Sequence, residues 1–431
     1  MKIAYIAAGA AGMYCGTCIH DNTLAAALLK KGHDVALIPT YTPIRTDETD
    51  VSIHRIFYGG INVYLEQKMA LFRHTPWIFD ELFNSPSLLS RLSRFASSTN
   101  AKDLGALTLS VLQGENGRQR KELEKLTKWL KDAYRPNLVQ LTNSMFVGFA
   151  KQMKKALGVP ILCALQGEDI FLEGLVEPYK SQALEVLRAR VSDVDGFIAP
   201  CRYYAEFMKS YLKIPEDKVE VVKLGLNLEG HGEAGGTAIS DSPFVIGYLA
   251  RICPEKGLHL LVEAFYRLTQ QVPSDKIRLK VAGYLGKGDA HYFEEIVNQI
   301  EAWGLRNSFE YLGEVDRQQK LNFLKGLHVL SVPTTYKEPK GLFVLEALAN
   351  GVPVVLPRHG GFPELIDATG GGILVDAESP TATAEGILEL MNDSKRREEL
   401  GRRGKETVHQ RFSDDIMADE TLAVYRKHLS T

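Results

Sequence analysis

Two carboxylates, Glu338 and Glu346, stand with seven residues between them in the stretch T-T-Y-K-E-P-K-G-L-F-V-L-E-A-L-A-N-G-V-P-V-V-L-P-R-H-G-G, residues 334–361. Pro339, Lys340 and Gly341 predict a short turn after the first acid. Leu342, Leu345, Leu348 and Ala349 then recur at helical spacing, and Asn350-Gly351 with Pro353 behind supplies a stop. Glu338 is therefore expected in a loop and Glu346 inside the helix that the loop opens.

A helix N-terminus leaves main-chain N–H groups without partners and carries roughly half a positive charge. The amides of Lys340, Gly341, Leu342 and Phe343 are thus expected to form a socket for an anion, most simply a phosphate. Glu346, about a turn further in, can accept two hydrogen bonds from a vicinal diol such as a ribose. Phosphate beside diol reads as nucleotide, with Glu338 at the mouth of the socket near whatever the far phosphate carries. A capped helix with a solvated glutamate at each end would show the same spacing, so the elements around it decide.

Those elements follow a βα rhythm. Lys2 to Ala8 reads as a buried strand. It is followed by a glycine loop containing Gly9, Gly12 and Gly16, a helix over Asn22 to Lys31 and a second strand over Asp34 to Pro39. The glycines do not fit G-x-G-x-x-G, which weakens a dinucleotide reading. The rhythm resumes with strands at Leu138 to Leu141, Ile161 to Leu165, Gly196 to Ala199 and Glu220 to Lys223, and with a helix after Asn143-Ser144. Residues 229–242 have linker composition. Beyond them come strands at Phe244 to Leu249, Leu279 to Ala282, Glu310 to Leu312, Val329 to Pro333 and Val352 to Leu356, and a closing helix over Asp414 to Leu429. Between residues 60 and 135 the pattern is less informative. Ser85-Pro86 predicts the start of an amphipathic helix with Leu88, Leu89, Leu92 and Phe95 on one face and Arg91 and Arg94 on its flank, and Leu123, Leu126, Leu130 and Ala133 mark another helix.

The string from Glu338 to Val355 resembles the E-x7-E signature of the retaining, GT-B-fold glycosyltransferases of family four. The resemblance implies that Glu338 contacts the donor sugar near its reacting carbon and that Glu346 holds the nucleotide ribose. Ala250-Arg251-Ile252-Cys253-Pro254-Glu255-Lys256-Gly257 resembles the family's G-R-L-x-x-x-K-G segment, in which the arginine and lysine bind the donor diphosphate. The chemistry agrees, because a leaving diphosphate gains negative charge as the sugar bond breaks and fixed cations compensate it. His359-Gly360-Gly361-Phe362-Pro363-Glu364 resembles the family's G-G-x-P-E turn beside the donor, which makes Gly360 and Gly361 backbone approach points. Gly16 lies at the family's interval before Leu24-Ala25, with Cys15 where a first glycine is usual, and is expected to let amides approach the diphosphate from the opposite side of a cleft.

Gln166-Gly167-Glu168-Asp169 departs from the family's H-G-x-D turn, whose histidine lies beside the donor sugar. Gln166 cannot carry a positive charge, though it can hydrogen-bond a sugar hydroxyl. Glu168 and Asp169 are neighbouring acceptor candidates, as are His20 and Asp21, which could point toward an acceptor; Asp21 could equally be a helix cap. Cys15-Gly16-Thr17-Cys18 has the spacing of a redox site, but the resemblance already accounts for the loop. Asp193-Val194-Asp195 looks like a metal-binding D-x-D, yet it precedes a strand instead of ending one. It reads as a structural turn, and no essential metal is expected.

Composition is that of an ordinary globular chain: 431 residues, 45% hydrophobic and 24% charged, long enough for two domains. A formal net charge of -2 argues against bulk nucleic-acid binding. Residues 1–228 carry 28 Lys and Arg against 24 Asp and Glu, and the remainder 23 against 29, an asymmetry that permits an anionic acceptor or a membrane surface near the N-terminal half. No apolar run approaches the roughly 18 residues of a transmembrane helix. The apolar start is superficially similar to a signal peptide but continues into βαβ, the better account, and five scattered cysteines suit a reducing cytoplasm, with the inner membrane face as a further place of action.

Taken together, the resemblance implies α/β architecture of GT-B type: two Rossmann-like domains facing across a cleft. An acceptor domain spans residues 1–228 and a nucleotide-sugar donor domain residues 243–413, with the helix at 414–431 crossing back onto the first. It implies transfer of a sugar from a nucleoside diphosphate, UDP or GDP by family frequency, to an acceptor hydroxyl with retention of configuration. No cofactor is expected, and the departing phosphate would take the acceptor's proton. A same-fold epimerase or phosphorylase, or a sugar-nucleotide-binding module without turnover, would share these residues.

Overall fold

The computed structural model describes residues 1–9, 15–53, 55, 57, 101–233 and 243–430. The helix expected from Ser85-Pro86, with Leu88 to Phe95, lies outside the described residues, as do Gly12 and most of the linker. The chain forms two compact units, Met1–Gly225 with Asp415–Thr431, and Leu226–Asp414.

Runs that are apolar on both faces can be buried only in a sheet covered by helices on both sides. In the first unit Lys2–Ala7 (β1), Asp34–Pro39 (β2), Leu138–Leu141 (β3), Ile161–Ala164 (β4), Gly196–Ala199 (β5) and Val219–Val221 (β6) pair in the order β2-β1-β3-β4-β5-β6, all parallel. In the second, Phe244–Leu249 (β7), Ile277–Ala282 (β8), Phe309–Tyr311 (β9), Val329–Ser331 (β10), Val354–Pro357 (β11) and Gly372–Val375 (β12) pair in the order β12-β11-β10-β7-β8-β9, again all parallel. Each sheet grows outward from its first strand in one direction and then restarts on that strand's other side. Such a reversal leaves a crevice beyond the carboxyl ends of the two strands that flank it. In the first unit these are β1 and β3; in the second, β7 and β10.

The first unit's core includes Ile3, Tyr5, Leu24, Leu28, Leu138 and Leu162, and the closing helix Asp414–Leu429 buries Met417, Ala418, Leu422 and Tyr425 in the same cluster. Lys427 pairs with Glu220, and Glu420 accepts from the Lys223 amide at 3.1 Å. Leu226 and Ser413 lie side by side, Leu226 donating to Phe412 O and accepting from the Asp414 amide, where the chain leaves and re-enters this unit.

Three local expectations are corrected. The first helix (α1) runs over Gly16–Lys30 with Cys15 as its N-cap, six residues earlier than the Asn22 start expected from periodicity. Its opening turns carry Thr17, His20, Asp21 and Asn22, polar residues without an apolar repeat, and Asp21 and Asn22 are buried all the same because tertiary partners satisfy them. Asp21 is consequently in the second turn and caps nothing. After Asn143, whose side chain accepts from the Met145 amide at 3.1 Å, the chain forms a tight 3-10 segment, Ser144–Phe149, before the helix Ala150–Leu157. The helix marked by Leu123 and Leu126 spans Arg120–Trp129 and widens into a π turn at Leu130–Tyr134.

Leu422→Ala should cost about 2–5 kcal/mol, as expected for truncating a buried leucine, and lower the urea midpoint without altering the slope. A loss below about 0.5 kcal/mol, the usual scale of a surface substitution, would show that the closing helix contributes little to the first unit.

Candidate functional site

The crevice of the second unit lies beyond β7 and β10, and the two loops that leave these strands are tied together. After β7, Pro254–Lys256 makes one 3-10 turn and Gly257 takes φ +70°, the left-handed region that glycine adopts without strain. A Cβ on Gly257 would sit 1.9 Å from the carbonyl oxygen of Pro333, at the end of β10. The Thr335 amide donates to Glu255 O at 2.9 Å. Arg251 projects from the same β7 loop, its side chain 47% exposed, with Nε 3.3 Å from Cys253 Sγ and a guanidinium nitrogen 3.9 Å from Glu255.

This lacing brings Lys256 and Glu338 together. Lys256 Nζ donates to Glu338 Oε2 at 2.6 Å and to the Tyr336 hydroxyl at 2.5 Å, and that hydroxyl donates in turn to Oε2. Glu338 Oε1 accepts from the Lys340 amide at 3.2 Å and the Gly341 amide at 3.4 Å. Glu338 is 4% exposed. Burial pushes its carboxyl up, but the Lys256 charge and these hydrogen bonds outweigh it and hold the group down at about 2. The same burial, reinforced by the carboxylate, pushes the Tyr336 phenol well above its usual range.

The structure therefore corrects the expected placement of Glu338. Its carboxylate lies in the amide socket itself and not at the mouth, and it takes the first two of the four amides assigned there to an anion. The other two, from Leu342 and Phe343, open the helix Leu342–Ala349 (α2), with Gly341 at φ +71° as its N-cap.

Gly360 and Gly361 are also turned to a purpose the sequence did not suggest. A Cβ on Gly360, at φ +61°, would lie 2.6 Å from Glu338 O and 2.8 Å from Glu338 N, and the Gly361 amide donates to Glu338 O at 2.8 Å. His359 Nε2 lies 2.9 Å from Thr334 O. This turn, ending β11, clamps the main chain that carries Glu338.

Glu346 sits inside α2, 5% exposed, in a hydrogen-bonded ion pair with Lys320. Lys320 belongs to the helix Arg317–Lys325, whose start is fixed by a capping box: Asp316 accepts from the Gln319 amide at 2.8 Å and the Gln319 side chain accepts from the Asp316 amide at 2.9 Å. Sequence reasoning missed Lys320 and Tyr336. A lysine 26 positions before its partner, on another helix, has no spacing signal; the only available hint was that a buried acid needs a donor.

In the first unit, Asp21 is 1% exposed and gathers donors from β1 and from the loops that leave β3 and β4. Oδ1 accepts from the Tyr5 hydroxyl at 2.8 Å and Gln166 Nε2 at 2.8 Å, and Oδ2 accepts from Thr142 at 2.5 Å; His20 Nδ1 is 3.1 Å from Oδ1. Gln166 Nε2 also donates to Thr142 O at 2.8 Å. Glu168 is turned inward too, accepting from the amides of Ser144 at 2.9 Å and Gln166 at 2.7 Å. Asp169 accepts from Tyr204 at 2.7 Å, and burial pushes its carboxyl up despite that bond. Asp21 and Glu168 thus brace the loops, while His20 and Asp169 keep part of their surface. Gly16 starts α1, and a Cβ there would meet nothing within 4 Å.

Cys15 and Cys18 flank the first turn of α1, and none of the five cysteines forms a disulfide among the described residues. Asp195 accepts from the Ile161 amide at 2.9 Å and pairs with Lys154, so the D-x-D segment is a structural brace. Among the described residues no cluster of three His, Cys, Asp or Glu is placed to hold a metal, and no helix is long and apolar enough to cross a membrane.

Two doubly wound parallel α/β units, each with its polar side chains gathered at a strand-order reversal, define the GT-B class of fold. A solved structure of the Anabaena protein HepE in complex with UDP superimposes with a TM-score of 0.69 over 99% of this chain and 100% of that one, at 17% identity. Residues 234–407 match the glycosyl transferases group 1 family, and residues 106–229 match glycosyltransferase family 4. Two glycosyltransferase family models thus match successive parts of this chain, and relatives named as glycosyltransferases resemble it. An uncharacterised glycosyltransferase of Methanocaldococcus jannaschii is 29% identical over 50% of this chain and 56% of its own length. A D-inositol 3-phosphate glycosyltransferase of Segniliparus rotundus is 28% identical over 64% and 63%. The chain thus spans between 56% and 63% of the length of these two curated relatives.

A carboxyl held below its ordinary value stabilises the folded chain above that ordinary value and loses the contribution as pH falls toward the folded one. The stability gap between the parent and Glu338→Gln, followed by urea denaturation, should therefore be widest near neutrality and close between about 4.5 and about 2. A gap that is flat across this window would contradict an ionised Glu338 held by Lys256.

Proposed function

We propose that the protein transfers a sugar from a nucleoside-diphosphate sugar to an acceptor hydroxyl, with retention of anomeric configuration and without a metal. The observation that carries this reading is the meeting of Lys256 and Glu338 at the reversal point of the second sheet, within the part of the chain that matches a glycosyltransferase family. Cations and the N-terminal amides of a helix at such a crevice suit a diphosphate.

In this reading Arg251 and Lys256 take the diphosphate, with the amides of Lys340 to Phe343 as further contacts. Glu346, neutralised by Lys320, accepts from the ribose diol. Glu338 orients the transferred sugar. The bond from the anomeric carbon to the phosphate oxygen breaks, its electron pair staying on the diphosphate. The acceptor oxygen bonds to the same face of that carbon, and its proton passes to the departing phosphate oxygen. Two fixed cations offset the charge that develops there. His20 and Asp169 address the acceptor, with Gln166 holding Asp21 behind them.

The proposed setting is the cytoplasm, with contact to an anionic membrane surface through the N-terminal unit. The HepE structure contains UDP, which makes UDP the first nucleotide to test, with GDP beside it.

Glu346→Ala and Arg251→Ala should each weaken nucleoside-diphosphate binding by about tenfold or more, as removing a charge-assisted contact does, in calorimetric titrations of folded protein. Affinities equal to the parent's for every nucleoside diphosphate would sink the reading. With an acceptor found, an anomeric proton coupling in the product opposite to the donor's would sink retention.

A further inference from the structure

Under the proposed function Lys256 holds the donor's diphosphate, yet in this structure its ammonium already holds a carboxylate. Lys256 Nζ is 2.6 Å from Glu338 Oε2 and 2.5 Å from the Tyr336 hydroxyl, which bridges to the same oxygen. Glu338's other oxygen takes the Lys340 and Gly341 amides. An ammonium, a phenol and two main-chain N–H groups are the donors that a phosphate oxygen seeks. Both anions on these donors at once would place like charges against each other in a poorly hydrated site.

A second feature favours the lysine staying in place. The Lys256 ammonium stands over two aromatic faces, 4.8 Å from the Tyr336 ring centre and 5.7 Å from that of Phe343. These faces attract the cation whatever anion it carries. The Glu338 main chain is equally constrained, since Gly361 donates to its carbonyl and Gly360 abuts it. The Glu338 side chain, with three rotatable bonds, can move without disturbing either loop.

We propose, resting on the proposed function, that the Glu338 carboxylate is a built-in stand-in for phosphate: the donor's phosphate displaces it from Lys256, and the displaced acid swings to the sugar that phosphate carries. Tyr336 is the positioning residue of the exchange, because its hydroxyl can turn from Glu338 to a phosphate oxygen without moving the ring. No bond other than hydrogen bonds changes, and no proton is transferred. Two consequences follow. The intrinsic affinity for a diphosphate is reduced by the work of breaking the Lys256–Glu338 pair, and a sugar lacking a phosphate leaves Glu338 on Lys256.

The exchange reverses the usual expectation for an acid that contacts a substrate. Titrating UDP, GDP and inorganic pyrophosphate into folded Glu338→Ala should give binding tighter than the parent's by about tenfold or more, the scale of charge-assisted hydrogen bonds no longer broken, while sugar transfer or donor hydrolysis falls. Glu338→Gln keeps the side chain's shape, should tighten binding in the same direction, and carries the test if the alanine variant does not fold. Lys256→Ala should weaken binding. Variants at Glu338 that bind no more tightly than a parent that does bind would overturn the exchange and leave the proposed function standing. A parent and variants that all fail to bind any diphosphate would overturn both.

Discussion

The pair formed by Lys256 and Glu338 is the interaction around which the second unit's candidate site is built. Taking two ions out of water carries a penalty of several kcal/mol each, and such a pair persists only where the remaining donors and acceptors are also satisfied. Glu338 meets that condition through Tyr336 and two amides. The partners come from loops 82 positions apart in the chain, brought together because β10 lies beside β7 in the sheet. A parallel sheet whose strand order reverses at that point makes the meeting possible, and glycines at 257 and 360 let the loops come close enough to complete it.

The first unit answers the same problem with different groups. Asp21 lies where β1 and β3 diverge, and the donors from Tyr5, Thr142 and Gln166 are all neutral. Hydroxyls and a side-chain amide hold the Asp21 carboxylate in place without cancelling its charge. At the corresponding place the second unit carries an ammonium and a guanidinium, Lys256 and Arg251. Gln166 fits this arrangement, since its side-chain amide donates to Asp21 without adding charge.

Much of the framework was legible because parallel strands read as short apolar runs. The strands at Asp34–Pro39, Leu138–Leu141, Gly196–Ala199 and Phe244–Leu249 and the helix at Asp414–Leu429 occupy the residues their patterns predicted. The start of α1 was not legible: periodicity tests for an apolar face, and Asp21 and Asn22 are buried polar residues whose partners are distant in sequence. Short edge strands such as β6 shifted by a residue or two, because three or four residues carry too little pattern to fix an end.

By itself the sequence determined which residues could do chemistry: an acid in a turn, another acid one turn into a helix, and a lysine and arginine after a strand. Those are local facts, set by propensity and spacing. Only the tertiary structure decided what each group touches. It put Glu338 inside its own socket, paired Glu346 with Lys320, turned Glu168 inward and pressed Gly360 against the main chain. Hydrogen bonds and ion pairs act over about 3 Å, and the chain brings groups that close only by folding.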